Sequence, residues 1–258
     1  MLTLEQKKTI QQVITTCLRN KFKSYIPQDN YMPFHFALLG KDRMALYSFM
    51  QSLLTTFGTS IFEPVAATLA KNNFAKVETQ YTVGNEIFQN CDNAIKSIIN
   101  HLTINGKPNK KTELQELKKH LSGTRYKLKP AKVDLFVENK NGEQYLFDLK
   151  TAKPNKGDFQ KYKQTLLEWT GIAYTHNKNT KIHTAIAIPY NPYYPNPYQF
   201  WTMAGMLDLQ EELYVAEKFW DFLGGKGAYK NLLSCFENAG VQLRPEIDNY
   251  FAKYRNNH

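Results

Sequence analysis

Cysteine is scarce in this sequence, and long apolar runs are missing. The three cysteines, Cys17, Cys91 and Cys235, are odd in number and lie far apart in 258 residues. Neither a disulfide framework nor a structural zinc site follows from such a set, so a reducing compartment is expected. The N-terminus lacks the apolar core of a signal peptide, and no uninterrupted apolar run approaches the ~20 residues that cross a bilayer. These absences predict a cytoplasmic protein that does not enter a membrane.

Arginine is also scarce, with five residues in all, yet the chain is strongly basic. Lys and Arg together number 33 against 23 Asp and Glu, which gives a net charge of +10. This excess favours a polyanionic partner, and nucleic acid is the natural candidate because each neutralised phosphate releases counterions. An AT-rich genome would also enrich Lys and Asn, so the charge alone does not identify the partner. Apolar residues at 42% and aromatics at 14% exclude a disordered chain and indicate one compact unit.

Apolar spacing predicts a mainly helical first part, residues 1–125, followed by a β-rich segment. Predicted helices lie at 4–23, 41–57, 64–74, 84–102 and about 111–121, with Gly58-Thr-Ser between the second and third. Predicted strands lie at Lys132–Val137, Gln144–Lys150 and Ile182–Pro189, with helices at about 158–175, 208–223 and 226–239. The polar helix and the basic run that follows it are the least core-like part. The prediction is a single α/β (α+β) domain with a small mixed sheet in 126–200 and C-terminal helices in 201–258.

Loop length decides which side chains share a face of the predicted hairpin. A two-residue turn, Asn141-Gly142, would place Asp134 opposite Leu149, on the wrong face. A three-residue loop with Gly142 in the left-handed conformation instead pairs Asp134 with Asp148. That register gathers Asp134, Asp148, Lys132 and Lys150 on one charged face, and it leaves an apolar face of Val133, Leu135, Val137, Tyr145, Phe147 and Leu149. We therefore predict the odd-membered loop.

Two adjacent carboxylates repel each other unless a cation lies between them. Hard oxygen ligands suit Mg²⁺, which keeps several waters for a substrate. A metal held by Asp134 and Asp148 can stabilise charge on a phosphodiester, and Lys150 can orient or deprotonate the attacking water. The ordinary structural interpretation is a solvated ion pair, because Asp-x-Lys is common by chance. The upstream acid at hairpin distance and the basic surroundings favour a magnesium-dependent endonuclease.

Glu63, in Ser60-Ile-Phe-Glu-Pro, has two interpretations. It could be a further acid that binds the metal or orients its water. Ser60 and Glu63 also fit a helix capping box, with Pro64 in the first turn, so Glu63 could close a helix N-terminus instead. The residues alone favour neither interpretation.

The segment Lys132-Val-Asp-Leu-Phe and Tyr145-Leu-Phe-Asp-Leu-Lys-Thr-Ala-Lys-Pro resembles the PD-(D/E)xK nuclease core. Further segments resemble the TdeIII family of type II restriction endonucleases; they are Met32-Pro-Phe-His, Leu39-Gly-Lys-Asp-Arg-Met-Ala-Leu, Thr56-Phe-Gly-Thr-Ser-Ile-Phe-Glu-Pro-Val-Ala, Ile188-Pro-Tyr-Asn-Pro and Phe219-Trp-Asp-Phe-Leu-Gly-Gly. The resemblance implies a restriction-endonuclease-like fold and Mg²⁺-dependent cleavage of double-stranded DNA at GGNCC. It also implies a methyltransferase that protects host DNA at the same site.

The resemblance also assigns roles to single residues. Asp134 and Asp148 become metal ligands, Lys150 the catalytic lysine, and Glu63 the acid from the preceding helix. Val133 stands where the named motif has proline, which contributes no chemistry.

Residues that contact DNA are predicted from the chemistry of base edges and phosphates. Reading G·C pairs needs donors to guanine and acceptors from cytosine. Candidates are Lys41, Arg43 and the loop residues Tyr190, Asn191 and Asn196, while Arg125, Lys127 and Lys129 are expected at phosphates. Some of them also have an ordinary interpretation: an ion pair with Asp42 or another acid for Arg43, loop packing for the tyrosines, and a solvated basic run for the last three.

A palindromic site is matched by twofold protein symmetry, so a homodimer is expected. Its interface could lie in the helical N-terminal part or around Trp220. Two alternatives stay open: a nuclease of the same core that acts in repair, junction resolution or RNA cleavage, and a non-catalytic DNA-binding module.

Overall fold

A mixed five-stranded sheet forms the centre of the protein. The computed structural model describes residues 2–26, 32–150, 152–153, 158–199, 203 and 205–255; Thr151 and Pro154 of the motif segment lie outside them. The strands, in spatial order, are β1 (Lys76–Phe88), β2 (Arg125–Glu138), β3 (Gln144–Leu149), β4 (Ile182–Ile188) and β5 (Leu213–Val215). β1, β2 and β3 pair antiparallel, whereas β3, β4 and β5 pair parallel. The predicted α/β architecture with a small mixed sheet is confirmed.

Helices cover both faces of this sheet. They are α1 (Leu4–Ser24), α2 (Pro33–Leu39), α3 (Lys41–Thr56), a π-helix (Phe57–Phe62), α4 (Glu63–Ala70), α5 (Gln89–Ile104), α6 (Lys110–Lys119), α7 (Phe159–His176), α8 (Glu217–Gly224) and α9 (Ala228–Arg255). Alternate residues of β2 and β3 enter two separate cores. Phe136 and Leu146 pack with residues of α5, α6 and α7, while Leu135 and Phe147 pack with residues of α1, α4, α8 and α9. Burial on both faces makes this a three-layer domain.

The β2–β3 hairpin has the predicted three-residue loop. Leu135 pairs with Phe147 and Glu138 with Gln144, and Asn139 N–H donates to the Glu143 carbonyl at 3.0 Å. Gly142 adopts φ +75°, the left-handed conformation that this loop needs. The predicted register is therefore confirmed.

The faces of the hairpin differ from the prediction in two respects. Val133 packs in the core with α5 and α7, not with Leu135 and Val137. Opposite this part of β2, Gln80 has φ +53°, which interrupts the regular pleat of β1. The charged residues are also limited to the strand ends, because the rest of that face is occupied by the buried side chains of Phe136 and Leu146.

Strand β1 was not predicted from the sequence, and residues 84–88 were wrongly assigned to the helix that begins at Gln89. β1 is an edge strand whose residues are mostly exposed or half-buried, so its apolar signal is weak. β2 begins at Arg125 instead of Lys132, because Tyr126 and Leu128 alternate with basic residues and pack on the core. The basic run is therefore a strand.

The helices at the chain ends also differ from the prediction. Gly58-Thr-Ser does not separate two helices; it lies in a π-helix that joins α3 to α4 with a bend of 51°. α2 was not predicted. The predicted helix at 208–223 is instead β5 followed by α8, and the last helix continues to Arg255 with Pro245 inside it. Short apolar segments do not distinguish a strand from a helix by spacing alone, which explains the error at β5.

A buried ionic network holds α6 and α7 against the sheet. Lys163 Nζ lies 2.5 Å from Glu113 Oε2 and 2.6 Å from Glu212 Oε2, and Lys110 Nζ lies 2.8 Å from Glu212 Oε1. Lys110 also donates to Thr184 Oγ1 of β4 at 2.7 Å. All four charged residues are buried. The prediction that α6 belongs to the least core-like part is therefore wrong.

Among the described helices, none is long and apolar enough to span a membrane by itself. One bent pair of helices, Lys41–Thr56 with Ser60–Ala70, is long and apolar enough when the two are taken together, by length and composition alone.

Candidate active site

Asp134, Asp148 and Lys150 meet where β2 and β3 run side by side. Continuing the hairpin register by one pair beyond Leu135 and Phe147 places Asp134 opposite Asp148. Asp134 Oδ2 accepts the Leu149 backbone N–H at 2.8 Å, which fixes one carboxylate against the neighbouring strand. Lys150 Nζ lies 2.6 Å from Asp148 Oδ1. The structure thus brings together the three residues that the hairpin argument selected.

Asp148 is a carboxylate in a poorly solvated position. Its pKa is raised to about 6: burial is the main cause and Asp134 adds to it, whereas Lys150 opposes both effects. Its side chain is 12% exposed, against 28% for Lys150, whose ammonium also lies 5.1 Å from the centre of the Tyr162 ring. A second cation beside the two carboxylates would favour their joint ionisation.

Glu63 reaches the site from α4, which packs against β1 and β2. The residue is 4% exposed, and burial raises its pKa. It makes no capping hydrogen bond, since the π-helix runs directly into α4 and leaves no free helix end. The capping-box interpretation is therefore wrong. Glu63 Oε2 instead accepts a hydrogen bond from Gln80 Nε2 at 2.9 Å.

Gln80 links the buried acid to the hairpin and was missed by sequence reasoning. Its Nε2 also lies 3.4 Å from Asp134 Oδ1, so one amide bridges Glu63 and Asp134. A non-glycine residue at φ +53° in a strand costs about 1–3 kcal/mol. Such strain concentrates at functional sites, yet the sequence carries no signal for it, because Gln80 lies on the edge strand that was not predicted.

The donor set fits a hard divalent cation held by two protein carboxylates. Asp134 and Asp148 supply oxygen atoms on facing strands, and Mg²⁺ commonly takes one or two carboxylates and keeps the remaining positions for water and phosphate. Within the described part of the chain, no group of three or more His, Cys, Asp or Glu side chains is placed to hold a metal ion. Glu63 is accordingly a neighbour of the pair, joined to it through Gln80.

The basic candidates of β2 lie on the strand that carries Asp134. Arg125, Lys127 and Lys129 are exposed and alternate with the partly buried Tyr126 and Leu128. The guanidinium of Arg125 lies 4.6 Å from the centre of the Phe88 ring. The three cations are therefore open to solvent, on a strand that pairs with β1.

The loop after β4 packs beside the exit of β3. Tyr198 donates to the Ala152 carbonyl at 3.1 Å, and Tyr190 lines an apolar groove of about 760 Å³ with Lys153 and Trp220. The Asn191 side chain bonds within the loop, donating to the Asn196 carbonyl at 2.8 Å and accepting from Tyr193 N–H. For Asn191, loop packing accounts for the contacts that the structure shows.

Arg43 and Lys41 begin α3, which packs mainly against α2, the π-helix and α9. Arg43 Nη1 donates to the Leu39 carbonyl at 2.9 Å, and Lys41 is exposed. The structure does not bring these two residues to the carboxylate pair. The His183 ring stacks on the Tyr145 ring, with centroids 4.5 Å apart.

Comparison with known proteins gives one consistent result over most of the chain. The family described as "Type II restriction endonuclease, HinfI" matches residues 2–240. The type II restriction enzyme HgiCII of Herpetosiphon aurantiacus is 26% identical over 220 residues, which cover 83% of this chain and 80% of the relative. HgiEI of the same organism is 23% identical and covers 92% and 91%, and MjaII of Methanocaldococcus jannaschii is 27% identical and covers 81% and 63%.

Proposed function

Since this chain belongs to the HinfI family of type II restriction endonucleases, we propose that it cleaves double-stranded DNA with Mg²⁺ at the site formed by Asp134, Asp148 and Lys150. Family membership makes it a site-specific deoxyribonuclease and favours this role over repair, junction resolution, RNA cleavage or a non-catalytic module. The observation that carries the catalytic assignment is the hairpin register, which sets Asp134 opposite Asp148 with Lys150 bonded to the latter.

Asp134 and Asp148 would hold the Mg²⁺, which supplies positive charge that stabilises the phosphodiester transition state and lowers the pKa of a nearby water. The chain itself fixes the geometry. Leu149 N–H holds Asp134 in place, and the parallel pairing of β3 with β4 holds Asp148. Glu63 would act through Gln80 by orienting Asp134, since their hydrogen bonds already connect the three side chains.

Lys150 would contact the scissile phosphate and the attacking water. Its side chain is 28% exposed against 12% for its partner Asp148, so the lysine is the member of the pair that a substrate reaches more easily. There it would offset negative charge that develops on the phosphate and orient the water for attack.

For the recognition site we propose GGNCC, on the basis of the TdeIII-like segments. The palindrome would be bound by a homodimer, with one active site for each strand. A methyltransferase of the same specificity would protect host DNA. Base contacts from Lys41, Arg43, Tyr190, Asn191 and Asn196 remain predictions.

Arg125, Lys127 and Lys129 would neutralise phosphates beside the active site. Their exposure along the strand that carries Asp134 supports this role. Each phosphate contact that is lost should reduce the slope of log K against log salt by about 0.9. Binding of a GGNCC duplex by Lys127→Ala, measured across a salt series, tests the assignment, and an unchanged slope would exclude Lys127.

Cleavage of a supercoiled plasmid with one GGNCC site tests the catalytic assignment. With Mg²⁺ the wild type should give a linear product with ends at that site, and chelation should abolish it. Asp148→Asn and Lys150→Met should each lower the rate by about 10³-fold or more. Calorimetric titration with Mg²⁺ should show binding to the wild type and to Lys150→Met, and none to Asp148→Asn.

Lys161→Met is the matched control, because Lys161 is an exposed lysine of α7. It should cleave at the wild-type rate. Persistent cleavage by Asp148→Asn or Lys150→Met would refute the assigned roles, and discrete ends at another sequence would refute GGNCC while leaving the chemistry intact.

A further inference from the structure

The outer surface of α2 and α3 is apolar and uncovered. α2 buries none of its residues, and its Phe34 and Leu38 are 84% and 83% exposed. On α3, the exposed apolar residues form a single stripe, while Met44 and Phe49 face inward. We call this surface the α2–α3 face; it consists of Phe34, Leu38, Leu46, Tyr47, Met50 and Leu54. Large apolar patches of this kind mark interaction sites on soluble proteins.

The apolar stripes of the α2–α3 face carry no formal charge, although Lys41 and Arg43 lie between them at the start of α3. Residues 33–40 and 44–62 contain no Asp, Glu, Lys or Arg, although charged residues make up 22% of the chain. DNA is a poor occupant of the apolar stripes themselves, because their side chains offer no cation to its phosphates; the proposed contacts of Lys41 and Arg43 lie at the start of α3. A strongly charged protein partner would gain nothing there either.

A second copy of this chain is the occupant that fits. Two copies that each carry +10 repel one another through most of their surfaces, and an uncharged face is where that repulsion is weakest. The spacing of Tyr47, Met50 and Leu54, three and then four residues apart, is typical of the seam between two packed helices. A twofold contact brings the same face of both copies together, so each stripe meets its own counterpart.

The exposed area is close to what a stable dimer needs. At about 150–250 Å² for a large side chain, the exposed fractions of the six residues leave roughly 550–900 Å² open to solvent. A standard interface takes about 800 Å² from each partner. Flanking residues of α2 and α3 supply the remainder.

We infer that the α2–α3 face is the surface through which two copies of this chain associate. The inference rests on the proposed function, since a palindromic duplex calls for two active sites related by a twofold axis. It assigns the dimer contact to the N-terminal helices and not to the segment around Trp220, whose indole is buried and donates to the Pro189 carbonyl.

Sedimentation velocity of the full chain at micromolar concentration tests this inference. The wild type should sediment as a dimer of the 29.9 kDa chain. Met50→Lys and Met50→Glu should each sediment as folded monomers, because each places like charges across the twofold axis. An equimolar mixture of the two should recover the dimer. Val241→Lys, on an exposed position of α9, is the matched control and should remain dimeric.

Two outcomes would overturn the inference: a monomeric wild type in the presence of a GGNCC duplex, or a Met50→Lys variant that dimerises like the wild type. Flotation with phosphatidylcholine and phosphatidylserine vesicles checks a membrane as the alternative occupant. A monomeric wild type that binds these vesicles, together with loss of that binding in Met50→Lys, would favour the membrane. A monomer that cleaves GGNCC would refute the interface alone. A dimer that does not cleave would refute the proposed function alone.

Discussion

Replacing Lys163 by Met should separate a structural lysine of this protein from Lys150, the proposed catalytic lysine. Lys163 is fully buried and lies within 2.6 Å of two carboxylates, those of Glu113 and Glu212. Methionine keeps the length of the side chain and removes its charge. The variant therefore leaves two buried acids with one lysine, Lys110, between them.

The cost follows from the contacts that survive. Removing one partner of a buried ion pair costs about 3–5 kcal/mol. Glu212 keeps Lys110 at 2.8 Å and Glu113 keeps the Asn109 N–H at 3.2 Å, so the lower end, about 3 kcal/mol, is expected. With a urea m-value of about 3 kcal/mol/M, the unfolding midpoint should fall by about 1 M.

The loss should also depend on pH. Burial alone would raise the pKa of Glu212, but Lys110 and Lys163 lower it below its usual value. In the wild type, this carboxylate therefore stabilises the fold above the pKa of an unfolded glutamate, and the stabilisation is lost as the pH falls. In Lys163→Met the folded-state pKa of Glu212 rises, so protonation relieves the stranded charge. The difference between variant and wild type should be larger at pH 8 than at pH 5.

Urea unfolding followed by tryptophan fluorescence, at both pH values, measures these effects. Lys161→Met, two residues away on the exposed face of α7, should change the free energy of unfolding by less than about 0.5 kcal/mol. Lys150→Met should lower the cleavage rate by about 10³-fold or more, whereas folded Lys163→Met should still cleave. A destabilisation of Lys163→Met below about 1 kcal/mol, or one that grows at low pH, would refute the account of the network.

Three further changes give measurable outcomes. Gly142→Ala should lower the free energy of unfolding by about 1–2 kcal/mol, because φ is +75° at this position. No atom lies within 4 Å of the added Cβ, so the loss reflects backbone strain alone. An unchanged urea midpoint would contradict this. Trp220→Phe should cost about 1–3 kcal/mol by leaving the Pro189 carbonyl without its 2.7 Å bond, and equal stability in urea would show that this bond contributes little. Gln80→Gly should slow cleavage without lowering the free energy of unfolding. The relief of about 1–3 kcal/mol of backbone strain offsets the conformational entropy that glycine loses on folding. A variant that cleaves as fast as the wild type, or one that is clearly destabilised, would argue against the bridging role.

Local interactions explain what could be predicted from the sequence. The β2–β3 hairpin is short, and the length of its loop determines which residues face each other, so the pairing of Asp134 with Asp148 follows from residues close together in the chain. Helices with strong apolar spacing, such as α1 and α7, were predicted with nearly correct bounds for the same reason.

Long-range contacts explain what could not be predicted. β1 is held by pairing with β2, and its own side chains carry little apolar pattern. In the sequence, the lysines of the buried network look like surface residues, because their partners lie far away in the chain. Glu113 lies 50 positions from Lys163, and Glu212 lies 102 positions from Lys110.

The sequence by itself determined the hairpin that pairs Asp134 with Asp148, since nearest neighbours on two linked strands depend on loop length and on the alternation of side chains. Only the tertiary structure decided the surroundings of that hairpin. Glu63 became a buried acid bonded to Gln80, instead of a helix cap, because α4 packs against β1 and β2. The uncovered α2–α3 face likewise emerged only after folding, since burial depends on which surfaces the rest of the chain leaves unpaired.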